Sequence, residues 1–222
     1  MPLMEPEDAV VNSTRGIHDR KEHWDRIYRT KELTEVSWFQ PVPQVSVDFI
    51  KDYNLPINAQ IIDIGGGDSM LVDHLLDMGY SNISVLDISE AALEKAKQRL
   101  GARAEQVKWI TTDVITFKPI EQYDLWHDRA TFHFLSDEGE IRSYLDTAHE
   151  SLVQGGMLLL GTFSEQGPDR CSSLRVTQYS EQTMTDLLMP RFEKLRCITT
   201  DHRTPFGTTQ NFVFCSFRKQ GG

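Results

Sequence analysis

Apolar runs alternate with amphipathic segments over most of the chain. Short apolar runs predict five strands, at about 59–64, 82–86, 107–111, 123–127 and 157–162. Between them, apolar residues recur every three or four positions, which predicts helices from about residue 68 to Gly79, from Ser89 to about Leu100, and over 138–153. Because strands and helices alternate through short connections, we expect a doubly wound α/β fold with a parallel sheet and helices on both faces.

The N-terminal segment precedes this alternation and has a helical pattern of its own. Trp24, Ile27 and Tyr28 share one face of a helix predicted over 18–30, and a second helix is predicted over 44–53. We therefore expect a helical cap segment over residues 1–55 and the main domain over 56–222, folded together as a single domain.

The C-terminal segment ends the alternation in a different way. Two further strands, about 192–199 and 211–218, flank a short stretch that contains Pro205 and Gly207. This arrangement predicts an antiparallel pair, whereas a plain dinucleotide-binding fold would continue in parallel.

Composition and charge narrow the class of partner. With 39% hydrophobic and 25% charged residues among 222, the chain has the composition of a globular protein. Its formal net charge of −10 disfavours nucleic acid and anionic membrane as partners, because both attract surfaces rich in lysine and arginine.

Three cysteines, Cys171, Cys197 and Cys215, form no metal-ligand spacing, and no metal site is expected. Their odd number favours free thiols over a disulfide framework. Because the first residues are polar and acidic, and no apolar run is long enough to span a bilayer, we expect a cytoplasmic protein.

A glycine-rich turn follows the first predicted strand, in the sequence Asp63-Ile64-Gly65-Gly66-Gly67. Glycines at such a turn let the backbone approach a ligand closely. Asp87 comes 22 residues after Gly65, at the end of the next strand, where a carboxylate can accept both hydroxyls of a ribose. Asp113 ends the third strand, where it can contact an adenine amino group.

These acidic strand ends predict a nucleoside cofactor at the carboxyl edge of the sheet. A pyrophosphate prefers three glycines, yet the third position here is Met70. Asp63 and Asp68 flank the turn, and their negative charge suits a cationic ligand such as the amino group and sulfonium of S-adenosylmethionine.

The series Asp63-x-Gly65-x-Gly67, Asp87, Thr112-Asp113-Val114 and Tyr123-Asp124-Leu125 resembles the motifs of class I S-adenosylmethionine-dependent methyltransferases. The resemblance covers roughly residues 58–218, with Ser69 replacing a glycine found in many members. It implies a seven-stranded sheet with an antiparallel last strand, and S-adenosylmethionine as cofactor with S-adenosylhomocysteine as product. The cofactor contacts that it implies are Asp63, Gly65, Gly66, Gly67, Asp87, Ile88, Asp113, Val114, Asp128 and Arg129.

The N-terminal segment from His23 to Gln40 resembles the cap of a branch that includes protein-lysine methyltransferases. In that branch such aromatic residues close over the methionine end of the cofactor, which implies this role for Tyr28 and Trp38, and also for Trp24. The alternative is that these side chains only pack the helix onto the sheet.

The segment after the fourth strand borders the transferred methyl group in the family. It implies a catalytic role for His133 as general base, with Asp128 behind it, although in-line methyl transfer needs a base only when the acceptor arrives protonated. A structural hydrogen bond for His133, and an ion pair between Asp128 and Arg129, are the alternatives. The polar stretch 161–180 could line an acceptor pocket, with Arg170 and Arg175 either binding an acidic substrate or solvated.

The sequence leaves the methyl acceptor open. A small molecule or a protein, possibly through lysine, is favoured over nucleic acid, and the oligomeric state is not readable. Two other functions compete: an NAD-dependent oxidoreductase, disfavoured by the missing third glycine, and a non-catalytic protein that binds S-adenosylmethionine.

Overall fold

A seven-stranded sheet forms the centre of the protein in a computed structural model that describes residues 6–189 and 191–221. In chain order the strands are β1 (Gln60–Ile64), β2 (Asn82–Asp87), β3 (Val107–Thr111), β4 (Tyr123–Arg129), β5 (Leu152–Phe163), β6 (Arg170–Cys171), β7 (Leu174–Arg175), β8 (Phe192–Arg203) and β9 (Thr209–Lys219). Strands β6 and β7 form a separate small hairpin.

The order within the main sheet is β3-β2-β1-β4-β5-β9-β8. Strands β1 to β5 are parallel, whereas β9 lies antiparallel between β5 and β8. This arrangement confirms the predicted seven-stranded, mostly parallel sheet and its antiparallel ending.

Six α-helices accompany the sheet in the described part of the chain: α1 (Pro6–Thr30), α2 (Gln44–Asp52), α3 (Leu71–Asp77), α4 (Glu90–Leu100), α5 (Glu138–Ser151) and α6 (Glu181–Leu188). Apolar residues of α2, α3 and α4 bury one face of the sheet, and those of α5 and α6 bury the other. Helices therefore cover both faces, as the alternating pattern predicted, and the sheet edge between the layers is left to the loops.

Local signals explain where several helices begin and end. The hydroxyl of Ser89 accepts the backbone N–H of Ala92 at 3.2 Å and caps α4, and Gly79 follows α3 with a left-handed φ of +88°. Helix α1 begins well before the predicted residue 18, at Pro6. Helix α5 ends at Ser151 and β5 begins at Leu152, earlier than the Gly155–Gly156 stop predicted, and Gly155 takes a left-handed φ of +76° at an irregularity within the strand.

The expectation of three free thiols is wrong for two of them. Cys197 on β8 and Cys215 on β9 are directly paired in the antiparallel register, with 4.1 Å between their Cα atoms, and form a disulfide. Cys171 is a buried free thiol. Within the ranges that the structure describes, no helix is long and apolar enough to cross a membrane.

Candidate cofactor and acceptor site

A cleft opens at the carboxyl ends of β1, β2, β3 and β4, beneath helix α1. The cleft is concave and lined mainly by apolar and aromatic side chains, with a few polar groups, as small-molecule sites usually are. Eight of the predicted site residues line it: Tyr28, Trp38, Gly65, Asp87, Ile88, Asp113, Val114 and Arg129. The parallel strands thus bring residues that are far apart in sequence to one edge of the sheet.

The glycine-rich turn fits closely beneath α1. Gly65 and Gly67 have left-handed φ values of +61° and +47°, which other residues rarely adopt. A Cβ on Gly67 would lie 2.7 Å from the hydroxyl of Tyr28, and one on Gly65 would overlap the side chain of Thr131. Side chains are therefore excluded from both positions by conformation and by contact.

Asp87 is a buried carboxylate at the end of β2 that faces the cleft. One of its oxygens accepts the backbone N–H of Ser89 at 2.7 Å. Burial, and then the neighbouring carboxylates of Asp63 and Asp25, raise the pKa of Asp87 to about 7 against that hydrogen bond. A neutral ligand with two hydroxyl donors would stabilise the charged form of such a group.

Asp113 at the far end of the cleft is held by an arginine that the sequence analysis did not identify. One carboxylate oxygen accepts the N–H of Ile115 at 3.0 Å, and the other lies 3.0 Å from the guanidinium of Arg20, which also pairs with Glu140 at 2.6 Å. Arg20 precedes Trp24 and Tyr28 at intervals of four residues, so all three line the cleft from one face of α1. That spacing was the signal available in the sequence.

A second, smaller cavity of about 380 Å³ lies beside the glycine turn, and Tyr28, Trp38, Gly65 and Arg129 line both cavities. Gly66 and Asp63 line only this second one.

A buried hydrogen-bonded chain runs along the wall of the second cavity. Asp63 Oδ1 lies 2.6 Å from His127 Nδ1, and His127 Nε2 lies 2.8 Å from the hydroxyl of Ser46 on α2. The Asp63 carboxylate is thus held by protein groups at the end of β1.

Asp68 does not offer its negative charge to a cationic ligand, contrary to the expectation from the sequence. Its carboxylate forms an ion pair with Arg99 of α4, and Arg99 also donates to the carbonyl of Ser69 at 2.8 Å. The negative charge of Asp68 is therefore compensated within the protein and holds α4 against the turn.

Asp128 does not have the position predicted for a catalytic or cofactor-binding residue. Its carboxylate is fully buried and accepts the hydroxyl of Tyr144 at 2.6 Å and the backbone N–H groups of Thr131 and Phe132 at 2.9 and 3.2 Å. Burial raises its pKa to about 6. Asp128 lines neither of the two cavities that the described residues form. Its hydrogen bonds to Thr131 and Phe132 instead stabilise the turn after β4.

His133 is also fully buried and lines neither cavity in the described part of the chain. Its Nδ1 atom accepts the backbone N–H of Phe163 at 3.3 Å. Burial, and then the charge of Arg129, lower the pKa of His133 to about 3. This geometry favours the structural alternative over the general base.

Aromatic side chains form the outer wall of the cleft. The ring of Trp24 lies 6.4 Å from Tyr28, 5.9 Å from Trp38 and 5.1 Å from Phe134, measured between centroids. Their edge-on and tilted contacts are those of a packed apolar cluster. The aromatic residues therefore both pack α1 onto the sheet and line the cleft, so the two roles considered from the sequence coexist.

The stretch 161–180 contributes one residue to the cleft, the thiol of Cys171, whose pKa burial raises to about 11. Arg170 and Arg175 are exposed, in keeping with solvated side chains.

Comparison with known proteins agrees with this architecture. The model of a family described as "Methyltransferase domain" matches residues 62–158, which begin within β1 and include β2, β3, β4 and α5. The chain is 30% identical over 118 residues to malonyl-[acyl-carrier protein] O-methyltransferase 2 of Ilyobacter polytropus, a match that spans 53% of this chain and 43% of that protein. It is 26% identical to EEF1A lysine methyltransferase 2 of Danio rerio, over 96% of this chain and 94% of that one.

Solved structures share the whole fold. The N-methyltransferase NodS from Bradyrhizobium japonicum, determined in complex with S-adenosylhomocysteine, superposes with a TM-score of 0.67 at 17% identity, over 90% of this chain and 98% of that one. In sequence and in fold the chain is similar to S-adenosylmethionine-dependent methyltransferases. An NAD-dependent oxidoreductase is thereby set aside.

The cleft fits S-adenosylmethionine, the cofactor that the sequence resemblance implies. An adenosyl group needs a polar partner for its ribose and an apolar surface for its base, and Asp87 lies between the apolar side chains of Leu86 and Ile88 on the cleft wall. Gly65 and Gly66 line the cavities where the methionyl group would lie, whereas Gly67, also predicted as a contact, lines neither cavity and packs against Tyr28.

Proposed function

We propose that the protein transfers the methyl group of S-adenosylmethionine to a small-molecule or protein acceptor. The observation that carries this proposal is the convergence of Gly65, Asp87 and Asp113 on one cleft, at the ends of three adjacent parallel strands. Ligands of open α/β sheets bind at this edge.

Each predicted contact residue is given a role by its position. Asp87 would accept the ribose hydroxyls, and Asp113 would accept the adenine amino group beside Ile88 and Val114. The turn from Gly65 to Gly67 would hold the methionyl group, with Asp63 behind it in the second cavity. Tyr28 and Trp38, which line both cavities, would cover that end.

The chain contributes position and exclusion of water to the reaction. When bound, S-adenosylmethionine supplies a methyl group on a positively charged sulfur, which an acceptor attacks in line. The aromatic wall of Trp24, Trp38 and Phe134 shields that end of the cleft from solvent. Since His133 and Asp128 line neither cavity, we propose that the acceptor loses its proton, where it has one, without them.

The names of the relatives support a broad class of acceptor and do not single out one molecule. One relative is named for O-methylation of malonyl-acyl-carrier protein and another for methylation of lysine in EEF1A. A small molecule or a protein therefore stays the proposed partner. The net charge of −10 speaks against nucleic acid and anionic membrane.

A cytoplasmic location also remains a proposal. The Cys197–Cys215 disulfide argues against it, because reducing compartments keep most thiols free.

The experiment that tests the function is isothermal titration calorimetry of the purified protein with S-adenosylmethionine, S-adenosylhomocysteine and NAD. We expect both adenosyl ligands to bind and NAD not to bind. Asp87→Ala should weaken the binding of both adenosyl ligands. Glu165→Gln, which removes an exposed charge, should leave their binding unchanged. The absence of binding by either adenosyl ligand would contradict the proposal.

The second candidate function is a non-catalytic protein that binds the cofactor. It is favoured by one observation, namely that the titratable groups predicted for proton transfer, His133 and Asp128, are buried away from the cleft. Binding of the adenosyl ligands without release of S-adenosylhomocysteine across carboxylate, amine and thiol acceptors would support this alternative.

A further inference from the structure

Arg129, the last residue of β4, carries a buried guanidinium where the two cavities meet. Its Nη1 atom donates to the backbone carbonyl of Trp38 at 3.0 Å. Its flat face lies over the ring of Phe212 on β9, with 5.1 Å between the guanidinium carbon and the ring centroid. These two contacts fix the orientation of the group.

The other edge of the guanidinium has no partner. Nε and Nη2 are both shielded from solvent, and neither donates a hydrogen bond to any residue that the structure describes. Buried donors without acceptors are rare and costly, so such a pair calls for an explanation. Nε–H and one Nη–H of an arginine point in the same direction, and this fork is the geometry that binds a carboxylate through two parallel hydrogen bonds.

The charge of Arg129 is likewise uncompensated by a direct ion pair with any side chain described in residues 18–189 and 191–221. The acidic group that acts on it, Asp63, is hydrogen-bonded to His127, and the nearby thiol of Cys171 is kept neutral by burial. Burial lowers the pKa of Arg129 to about 10, which leaves it protonated at neutral pH. A buried cation of this kind is suited to an anionic ligand.

The position of Arg129 in the sheet assigns that ligand to the acceptor. The proposed adenosyl contacts lie at the ends of β1, β2 and β3, on one side of the switch point between β1 and β4. Arg129 lines both cavities with Gly65, and it extends from the end of β4 to the ring of Phe212 on β9, on the other side of that point. The half of the edge not used by the cofactor is the half in which an acceptor must approach.

We propose that Arg129 anchors a carboxylate of the methyl acceptor, so that the substrate is an acidic molecule whose carboxylate enters the fork of Nε and Nη2. This inference rests on the proposed methyltransferase function and names its substrate class. It concerns the group that anchors the acceptor and not the atom that is methylated.

The test is a binding comparison on protein saturated with S-adenosylhomocysteine, so that the cofactor's own carboxylate already has its place. The probes are benzoate, phenylacetate and succinate against benzamide, phenylacetamide and succinamide, measured by calorimetry. We expect at least one carboxylate to bind about tenfold or more tightly than its amide in the wild-type protein, as charge-assisted pairing requires.

The variants distinguish the effect of losing the guanidinium fork from the effects of losing a positive charge and of misfolding. Arg129→Gln should abolish the preference for carboxylate, Arg129→Lys should retain part of it, and Arg175→Gln, which removes an exposed positive charge, should leave it intact. 5′-Methylthioadenosine, which has no carboxylate, should bind Arg129→Gln within about threefold of wild type, and this also reports folding.

Three results would overturn the inference. The first is equal binding of carboxylates and amides by the wild-type protein, and the second is an undiminished preference in Arg129→Gln. The third is a loss of S-adenosylhomocysteine affinity of about tenfold or more in Arg129→Gln, with 5′-methylthioadenosine unaffected, since the fork would then hold the cofactor's carboxylate. Failure of the wild-type protein to bind S-adenosylhomocysteine would refute the proposed function itself. That result is distinguishable from the three above, which concern only the role of Arg129.

Discussion

The ionisation of Asp87 links cofactor binding to pH. Its folded pKa of about 7 lies far above the ordinary value of 3.8, first because it is buried and then because of the Asp63 and Asp25 charges. Ribose hydroxyls that donate to Asp87 favour its charged form, so binding should lower this pKa and release a proton near neutral pH. Affinity for the cofactor should therefore fall as pH decreases through 7.

We predict that S-adenosylhomocysteine binds more weakly at pH 6 than at pH 8, and that the measured heat depends on buffer ionisation. Asp87→Asn should weaken binding roughly 10- to 100-fold at pH 8 and remove most of the pH dependence. Calorimetry in two buffers of different ionisation enthalpy checks both points. A pH-independent affinity in the wild-type protein would show that Asp87 does not meet the ribose.

The raised pKa of Asp87 also makes the stability of the free protein depend on pH, in the direction opposite to cofactor affinity. Because the folded pKa of Asp87 is raised above its unfolded value, this group's contribution to stability is greatest below pH 4 and is lost as pH rises through 7. Asp87→Asn should thus be more stable than the wild type at pH 8 by a few kcal/mol at most, since one pKa unit corresponds to about 1.4 kcal/mol. The difference should vanish near pH 4.

His133 provides a second test at the scale of one residue. Since its ring is buried and accepts the N–H of Phe163, His133→Ala should cost about 1–3 kcal/mol of unfolding free energy by leaving that donor unpaired. Affinity for S-adenosylhomocysteine should change by no more than about threefold, because the side chain lines neither cavity among the described residues. Urea denaturation and calorimetry measure the two quantities.

Turnover, once an acceptor is known, would decide the chemistry of His133. Full turnover in folded His133→Ala would remove it as a general base. A loss of turnover of about a hundredfold or more at unchanged stability would restore that role.

Helix α1 is held over the cleft mainly through Asp25. This buried carboxylate accepts the hydroxyl of Ser89 at 2.7 Å and the N–H of Ala91 at 3.3 Å, and it pairs with Lys21 at 3.2 Å. Asp25 thereby joins α1 to the N-terminus of α4, where negative charge is favourable. Since Trp24 and Tyr28 lie on the same helix, the joint also positions the cleft wall.

We predict that Asp25→Asn lowers the unfolding free energy by about 1–2 kcal/mol, in the range of a lost helix cap. Amide hydrogen exchange over residues 18–30 should become faster, and S-adenosylhomocysteine should bind less tightly. Asp186→Asn, an exposed change on α6, is the matched control and should alter none of these. Unchanged exchange in Asp25→Asn would mean that α1 is held by its aromatic contacts alone.

The elements show what the pattern of the sequence could and could not predict. Asp87 and Asp113 were found because an acidic residue at a strand end needs only the strand boundary. Asp128 was expected at the cleft because it lies near the end of a strand, but the strand pattern does not reveal that the hydroxyl of Tyr144 and two backbone N–H groups hold its carboxylate inside the protein. Helix α6 went unrecognised because Thr183 replaces the usual Glu or Gln in the capping box with Ser180.

The whole molecule adds a constraint that only the sheet register reveals. Cys197 and Cys215 are separated by 18 positions, and the sequence does not say which residues of two long antiparallel strands are directly opposite. The same is true of Phe212, which meets Arg129 only because β9 inserts beside β5. Long-range pairing of strands thus decides both the disulfide and the environment of the proposed anchoring residue.

The disulfide should stabilise the molecule without acting on the cofactor. By the loop-closure argument a cross-link over this separation contributes about 3 kcal/mol, which for a chain of this size corresponds to roughly 6–12 °C in melting temperature. We therefore predict that dithiothreitol, or the double variant Cys197→Ser/Cys215→Ser, lowers the melting temperature by that amount.

The control for this prediction is Cys171→Ser, which should keep the sensitivity to dithiothreitol. S-adenosylhomocysteine affinity should be the same with and without reductant, because β8 and β9 lie across β4 and β5 from the strands that carry Asp87 and Asp113. Titration of three free thiols in the unreduced protein would instead show that the pair is open in solution.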